Sequence, residues 1–585
     1  MFNPSLFKTR LFSAAASTII LSAGMGGVHA ETPAPGGEVA FSIDAPMLGD
    51  ALRAFGAQSG TPILFSEALV AGRAAPRVNG TFAPTDALDR LLQGSGLEAV
   101  KGQGGAVIIR KRTGVPEAAV APARLARGQA PAEILPDPSR VEAEPGTLRV
   151  DTVTVTGTSL RGIAPESSPL QIYSRDDIQK SGVTTTEQFI RTLPQNFGGG
   201  STELAPSGLP GDSNSQFNNV FGSGANLRGL GSGGTLTLLN GNRLAPTSEI
   251  GDFVDLSMIP LSALARVDVL TDGASSIYGG DAVAGVMNFV LRDDFTGAET
   301  SVRYGAVTQG SLEEYRLSQT LGTAWQSGNI IATYEYFDRD NLTLADRPDI
   351  PIPTHGVPIV DTQAFDLLPA QVRHSGLVSL TQDVGPDLEI SVSGLYSKRD
   401  ADSTSVYASS SSSVLGFAAT SELRSVSLGA DYTLSPRWAA TFNSTYSRIH
   451  NTESAQTLAP VTFEPSQKVT RSNLWSADLR LNGDLWTLPG GTIKSAVGTQ
   501  FRRETFVSEQ VGEGAERDGE RDVTALYGEL LVPLVGPDNA LPGVRRLEVN
   551  LSGRFDDYSD FGTTVNPKIG ALWSPVEGLT GRATY

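Results

Sequence analysis

The sequence predicts a multidomain exported protein whose second half is a transmembrane antiparallel β-barrel. Three observations carry that fold class. The N-terminus reads as an export signal, no later stretch is long and apolar enough for a spanning helix, and the chain beyond residue 295 is written in segments of alternating polarity.

The elements follow in chain order. Lys8 and Arg10 precede a small apolar core, Leu11 to Gly27, and Val28-His29-Ala30 supplies the small residues of a cleavage site. Residues 1–30 therefore read as a signal peptide. The core is short and rich in Gly, Ala and Ser for a membrane anchor. Without a later apolar run of about 18 residues, a membrane-spanning remainder must be a barrel. The 585 residues allow several domains. With 45 Lys and Arg against 63 Asp and Glu, the net charge is −18, which argues against nucleic acid as a partner. Zero cysteines exclude a disulfide framework and thiolate metal sites.

Residues 39–111 read as a small α/β domain. "VAFSIDA" (39–45) alternates as a strand, and Leu48, Ala51, Leu52 and Phe55 line one helical face that stops at Gly60. "PILF" (62–65) reads as a strand, Ala87, Leu88, Leu91 and Leu92 as a second helical stripe, and "AVIIR" (106–110) as a closing strand. Residues 112–149 are rich in Ala, Pro and Glu without periodicity, the composition of a disordered linker. "DTVTVTG", Asp151, Thr152, Val153, Thr154, Val155, Thr156 and Gly157, has high β propensity and no core of its own. It suits strand addition to another protein's sheet, or an ordinary first strand of the next domain.

"NLRGLGSGGTLTLLNGNRL" (226–244) contains Gly229-x-Gly231-x-x-Gly234, by pattern a dinucleotide fingerprint. That reading requires a strand before the glycines and a helix after them. Here a Gly/Ser/Asn-rich loop precedes them, Thr235 to Leu239 is a β run, and Asn240-Gly241 is a type I′ hairpin signal. The pattern offers no helix N-terminus to a pyrophosphate, so no nucleotide cofactor is expected.

Beyond residue 295 the alternation is sustained. Leu547, Val549, Leu551, Gly553 and Phe555 oppose Glu548, Asn550, Ser552, Arg554 and Asp556. Leu388, Ile390, Val392 and Tyr396 oppose Glu389, Ser391, Ser393 and Ser397, and Trp438, Phe442 and Tyr446 repeat the pattern. A soluble β-sandwich also alternates. The export signal, the lack of cysteine and a fully polar second face favour a membrane barrel with a wet lumen.

Two resemblances sharpen this reading. Residues 41–97, "FSIDAPMLGD…LLQGSGL", resemble the short N-terminal domain shared by secretins and TonB-dependent signal-transducing receptors. The blocks "SSPLQIYSRDDIQKSG", "NLRGLG", "LLNGNRL" and "IPLSALARVDVLTDGASSIYGGDAVAGVMNFV", from about Ser168 to Arg292, resemble the plug domain of TonB-dependent outer-membrane receptors, in the family's order. The resemblance implies an α+β plug over 158–294, a barrel over 295–585 and a TonB box at 151–157 that pairs with the energy transducer TonB. It implies that 39–111 lies in the periplasm and contacts an anti-sigma regulator. It also implies that plug residues such as Arg228, Arg266 and Asp268 meet charges on the barrel wall. The family commonly has Glu at the Asp268 position and Gly-Pro where this chain has "DGA" (272–274), which suggests a subgroup.

The closing block, "DDYSDFGTTVNPKIGALWSPVEGLTGRATY", also resembles the family, where it lies mid-barrel. At roughly 20 residues per strand and connection, 295–585 supplies about 14 strands, against about 22 expected around a plug. The barrel is therefore expected to be incomplete. His355, His374 and His450 are scattered without metal-ligand spacing, and no catalytic constellation appears, so neither a metal site nor an enzyme is expected. The implied function is TonB-dependent uptake of a scarce nutrient by a monomeric barrel in outer-membrane lipid, with a ferric siderophore as the family default. Haem, cobalamin and oligosaccharides remain alternatives. A secretin-like pore or a passive porin would be a function of another class.

Overall fold

The computed structural model describes residues 39–45, 47–59, 63–64, 73, 75–93, 95, 97–101, 107–111, 156–162, 166–197, 201–203, 217–349, 365–407, 413–459 and 466–585. The signal peptide, the linker, residues 151–155 of the TonB box and His355 lie outside them. The chain divides into two compact units, 1–141 and 142–585.

The first unit holds β1 (Val39–Ile43), α1 (Leu48–Ser59), β2 (Ile63–Leu64), β3 (Val78–Phe82), α2 (Pro84–Leu92), β4 (Leu97–Lys101) and β5 (Val107–Lys111). Strands β1 and β3 pair antiparallel, and β2, β5 and β4 form a three-stranded sheet. Leu48, Ala51, Leu52 and Phe55 of α1 pack with Ala87, Leu88, Leu91 and Leu92 of α2, the two stripes expected from their spacing. Strands β3 and β4 were not expected. "VNGTF" carries the turn-type pair Asn79-Gly80, yet it forms a strand in which Gly80 adopts a φ of 134°.

In the second unit a five-stranded sheet forms the plug. Its strands are β6 (Leu170–Ser174), β7 (Thr235–Leu239), β8 (Asn242–Arg243), β9 (Leu264–Leu270) and β10 (Gly285–Leu291), in the order β6-β9-β10-β7-β8. Short helices α3 (Arg175–Lys180), α4 (Thr186–Thr192) and α5 (Ser275–Tyr278) flank it. Ser174 and Asp177 close a reciprocal cap on α3. Asn240 and Gly241 both take positive φ, 49° and 76°, as a type I′ turn requires.

Thirteen strands form the barrel sheet, from β11 (Gly297–Ala306) through β25 (Leu579–Thr584), with only β14 (Leu342–Thr343) and β15 (Asp366–Leu368) set apart as a separate antiparallel pair. Every neighbouring pair is antiparallel. Among the described residues β11 and β25 each have one neighbour, so the sheet is open.

At one end the turns are tight: two residues join β12 (Glu313–Trp325) to β13 (Gly328–Arg339), β18 (Ser413–Ser435) to β19 (Trp438–Ala459), and β20 (Ser466–Leu488) to β21 (Gly491–Gln510). Short turns mark the periplasmic end of such barrels. Trp325, Trp438, Trp486 and Trp573 cluster near that end, and Tyr334, Tyr396, Tyr446 and Trp475 face outward farther along their strands. These are the two aromatic girdles of a lipid-facing band. Strands β17 (Leu388–Tyr407) through β22 (Gly514–Val535) run 20 to 23 residues, whereas about ten suffice to span. They extend well beyond the outer girdle.

The outward face is apolar as expected: Val392, Tyr396, Phe442, Tyr446, Leu551 and Phe555 are exposed. The inward face departs from the expected fully polar lumen. Leu377, Leu395, Leu423, Ile449 and Leu474, one from each strand of β16 (Ala370–Asp383) to β20, point inward and join the hydrophobic core of the plug with Leu256, Met258 and Ile259.

Candidate functional site: the plug and its boundary with the barrel

The fingerprint glycines sit where chain geometry needs them. Gly229 and Gly231 take φ of 70° and 85°, and a single 3₁₀ turn, Ser232–Gly234, leads into β7. A strand stands where a nucleotide site would need a helix.

Thr156 and Gly157, the end of the segment that reads as a TonB box, are held inside the plug. Asp268 on β9 and Asn288 on β10 are directly opposed in the sheet. Thr156 bridges them: its hydroxyl donates to Asp268 Oδ2 at 2.7 Å and accepts from Asn288 Nδ2 at 3.0 Å. The Gly157 amide donates to the Tyr278 hydroxyl at 3.1 Å. The next two residues bind the barrel. Thr158 Oγ1 and the Ser159 amide both donate to Glu529 on β22, at 2.9 and 2.6 Å. Five bonds over four residues thus tie this segment to both plug and wall.

Arg266 and Asp268 share a face of β9, as their spacing requires, and Arg266 Nε donates to Asp268 at 3.0 Å. Asp268 is buried against Arg266 and Thr156, within the plug rather than on the wall. Arg228 lies exposed on a left-handed turn, with φ 58°. Contacts across the boundary involve further residues.

Buried barrel arginines reach inward to plug carboxylates and carbonyls. Arg339 meets Glu203 at 2.9 Å, Arg399 meets Asp255 at 2.8 Å, and Arg373 lies 3.9 Å from Glu187 while binding Glu335 of the neighbouring wall strand β13 at 3.0 Å. Arg373 and Arg399 also donate to the Ser257 carbonyl and hydroxyl respectively. Farther round, Arg554 donates to the Ile277 carbonyl at 3.0 Å, and Ser276 and Ser552 hydroxyls lie 2.8 Å apart. Lys568 on β24 (Gly562–Val576) binds Asp272 at 2.8 Å, Ser168 at 3.0 Å and the Gly273 carbonyl at 2.9 Å. Burial makes each pair dear to break one-sidedly, because the partner is left charged and dry. Sequence spacing could not reveal plug–wall pairs 116 to 400 residues apart; the only signal was inward-facing Arg and Lys at alternating positions.

A cavity of about 380 Å³ lies between plug and wall, lined in part by Arg243, Phe253, Asp281, Phe506, Arg521 and Asp560. The Arg243 guanidinium beside Asp281 holds its carboxyl at about 2. Phe253 and Phe506 give this charged chamber an aromatic face.

Comparison with known families and structures agrees with this architecture. Residues 165–286 match the TonB-dependent Receptor Plug Domain, 375–585 match the TonB dependent receptor-like beta-barrel, and 61–112 match the Secretin and TonB N terminus short domain. The chain is similar in fold to the Pseudomonas aeruginosa pyoverdine receptor FpvA, at 15% identity and TM-score 0.51, over 94% of this chain and 70% of that one. It is similar to the ferric enterobactin receptor PfeA of the same organism, at 16% identity and TM-score 0.53, over 72% of this chain and 62% of that one. It is also similar to the siderophore receptor PirA of Acinetobacter baumannii, at 15% identity and TM-score 0.51, over 71% and 60%. The chain belongs to the TonB-dependent receptors, non-enzymatic transporters of the outer membrane, and carries their plug and barrel together with a periplasmic secretin/TonB short domain.

Proposed function

We propose that this protein imports a ferric siderophore by TonB-dependent active transport and reports its binding through residues 39–111 to an anti-sigma regulator. Ligand enters from the long-strand end and is held by barrel loops and plug apices. TonB pairs with the strand Asp151–Gly157 and pulls, and the plug rearranges to open a path. The observation that carries this reading is the fastening of Thr156 and Gly157 to Asp268, Asn288 and Tyr278, which joins the proposed TonB strand directly to the plug sheet. Deleting 151–157 is expected to abolish energised uptake and leave ligand binding intact. Unchanged uptake would overturn the mechanism.

The substrate class rests on lesser support: the signalling domain, and the iron chelates named for the pyoverdine and enterobactin receptors of the same fold. Its test is the abundance of the protein in outer membranes of iron-starved and iron-replete cells. Strong induction on starvation supports a ferric chelate. Equal abundance sends the search to cobalamin and oligosaccharides.

A further inference from the structure

The plug loop from Thr247 to Asp252 meets the long-strand end of the wall. At its start, Asn451 on β19 donates to the Thr247 hydroxyl at 3.0 Å. Ser248 takes a φ of 82°, a strained left-handed turn for a residue with a side chain. Glu249 then supplies the charged fastening: its Oε2 lies 2.7 Å from Lys468 Nζ on β20, and its other oxygen accepts from Asn219. Arg517 on β22 donates to the Glu249 carbonyl at 3.4 Å. Ile250, Gly251, Asp252 and Phe253 go on to line the cavity between plug and wall. What holds Glu249 therefore holds one side of that chamber.

Lys468 is contested. Glu516 on β22 also reaches it, at 3.0 Å. Ser508 opposes Arg517 and Glu509 opposes Ala515, so Glu516 is the extra residue of a bulge, re-aimed toward the lysine. A third carboxylate, Glu453 on β19, stands directly opposite Lys468 in the sheet. It forms no ion pair with that lysine; the Thr470 hydroxyl donates to it at 3.3 Å, and it is buried at 5% exposure. Its other wall neighbours are uncharged: Ala419 opposes it on β18, while Ser508 and Gln510 of β21 oppose Thr470 and Lys468.

The cluster balances without Glu453. Lys468 and Arg517 offset Glu249 and Glu516, and a third negative charge would be buried with no cation of its own. Glu453 lies beyond Tyr446 of the outer girdle, on the part of β19 that stands clear of lipid. There burial, with Glu249 close by, pushes its carboxyl up to about 8. The folded chain thus holds this proton more tightly than an unfolded one. The resulting stability is complete below the ordinary carboxylate range and is lost as pH rises through about 8.

We propose that Glu453 is a proton-operated latch for the outer loop of the plug. With the proton on, Lys468 is left to Glu249 and the loop stays closed against the wall. When the proton leaves to solvent, the new carboxylate takes the ammonium opposite it, and Glu249 loses its cation. The loop then swings out about Thr247 and Ser248 and widens the chamber. The latch closes in acid and opens in mild alkali, whichever cargo the receptor carries.

The cysteine-free chain allows a direct test. A nitroxide is attached to the full chain in detergent at Ile250→Cys, and its mobility is followed by electron paramagnetic resonance from about pH 6 to about pH 10. The label is expected to be held in acid and freed with a midpoint near 8. Adding Glu453→Gln, which carries no charge at any pH, keeps it held throughout. Adding Lys468→Met, which removes the shared cation, frees it throughout. Heat-modifiable migration on gels confirms that each variant is folded. Without the label, the melting temperature is expected to fall more steeply with rising pH in the wild type than in Glu453→Gln. Mobility that is flat with pH in the otherwise wild-type chain, or that titrates alike with Glu453→Gln, overturns the proposal. So does a label still held in folded Lys468→Met protein, or an equal fall in melting temperature with and without Glu453.

Discussion

At the scale of single residues, Thr156 has the largest consequence for its size. One hydroxyl satisfies both Asp268 and Asn288 inside the plug. Thr156→Val keeps the shape and removes the bridge, leaving a buried carboxylate one donor short, at a cost of about 1–3 kcal/mol. The segment should then detach more readily. The expected outcome is greater retention of the ligand-free variant on an immobilised periplasmic fragment of TonB. Retention equal to wild type would mean that the bridge does not restrain the strand. The sequence made part of this legible. Alternation in "ARVDV" placed Arg266 and Asp268 on one face, and the structure joins them there. It could not supply Thr156 as their neighbour, because a contact across 112 residues leaves no mark in local spacing.

At the scale of elements, inward and outward side chains of one strand should respond differently to truncation. On β18, Leu423 is buried in the shared core at 2% exposure, whereas Val426 faces lipid at 56%. Leu423→Ala is expected to cost about 2–5 kcal/mol as a cavity opens between plug and wall. Val426→Ala should cost much less, since lipid chains fill the space. Thermal unfolding in one detergent compares the two, and equal losses would contradict the packing. Period-two alternation read the strands well where one face is polar. At Leu377-Val378 both faces are apolar, one side chain meeting the plug and the next lipid, so polarity carries no signal there. In the N-terminal unit, Gly80 disguised β3 for the opposite reason: a turn-forming residue sits in a real strand.

At the scale of the whole molecule, the proposed transport requires the plug to move against the wall, and the cysteine-free chain allows a clean test. Ser276 on α5 and Ser552 on β23 (Arg546–Tyr558) have hydroxyls 2.8 Å apart, close enough for a disulfide if both become cysteine. The oxidised Ser276→Cys, Ser552→Cys variant is expected to bind ligand but lose uptake, with uptake restored by reductant. Uptake by the oxidised form would place the path elsewhere. Removal of 39–111 should leave uptake intact and abolish ligand-induced transcription, measured with a reporter of the receptor's own promoter. Loss of uptake instead would give that domain a part in transport. The three-part organisation was legible in the sequence because each part has its own texture. The boundary between plug and wall was not, because it is built from pairs that only the closed arrangement brings together.

The five aliphatic side chains that line the inner wall from β16 to β20 also limit how freely the parts can be exchanged. A wall that met its plug only through charges could accept a foreign plug by rearranging flexible side chains. This one also demands a matching greasy surface, held in place by Leu256, Met258 and Ile259. A chimera carrying another receptor's plug would leave those aliphatics against water or a void. Plug and wall in this protein are therefore constrained to diverge together, as two halves of one core.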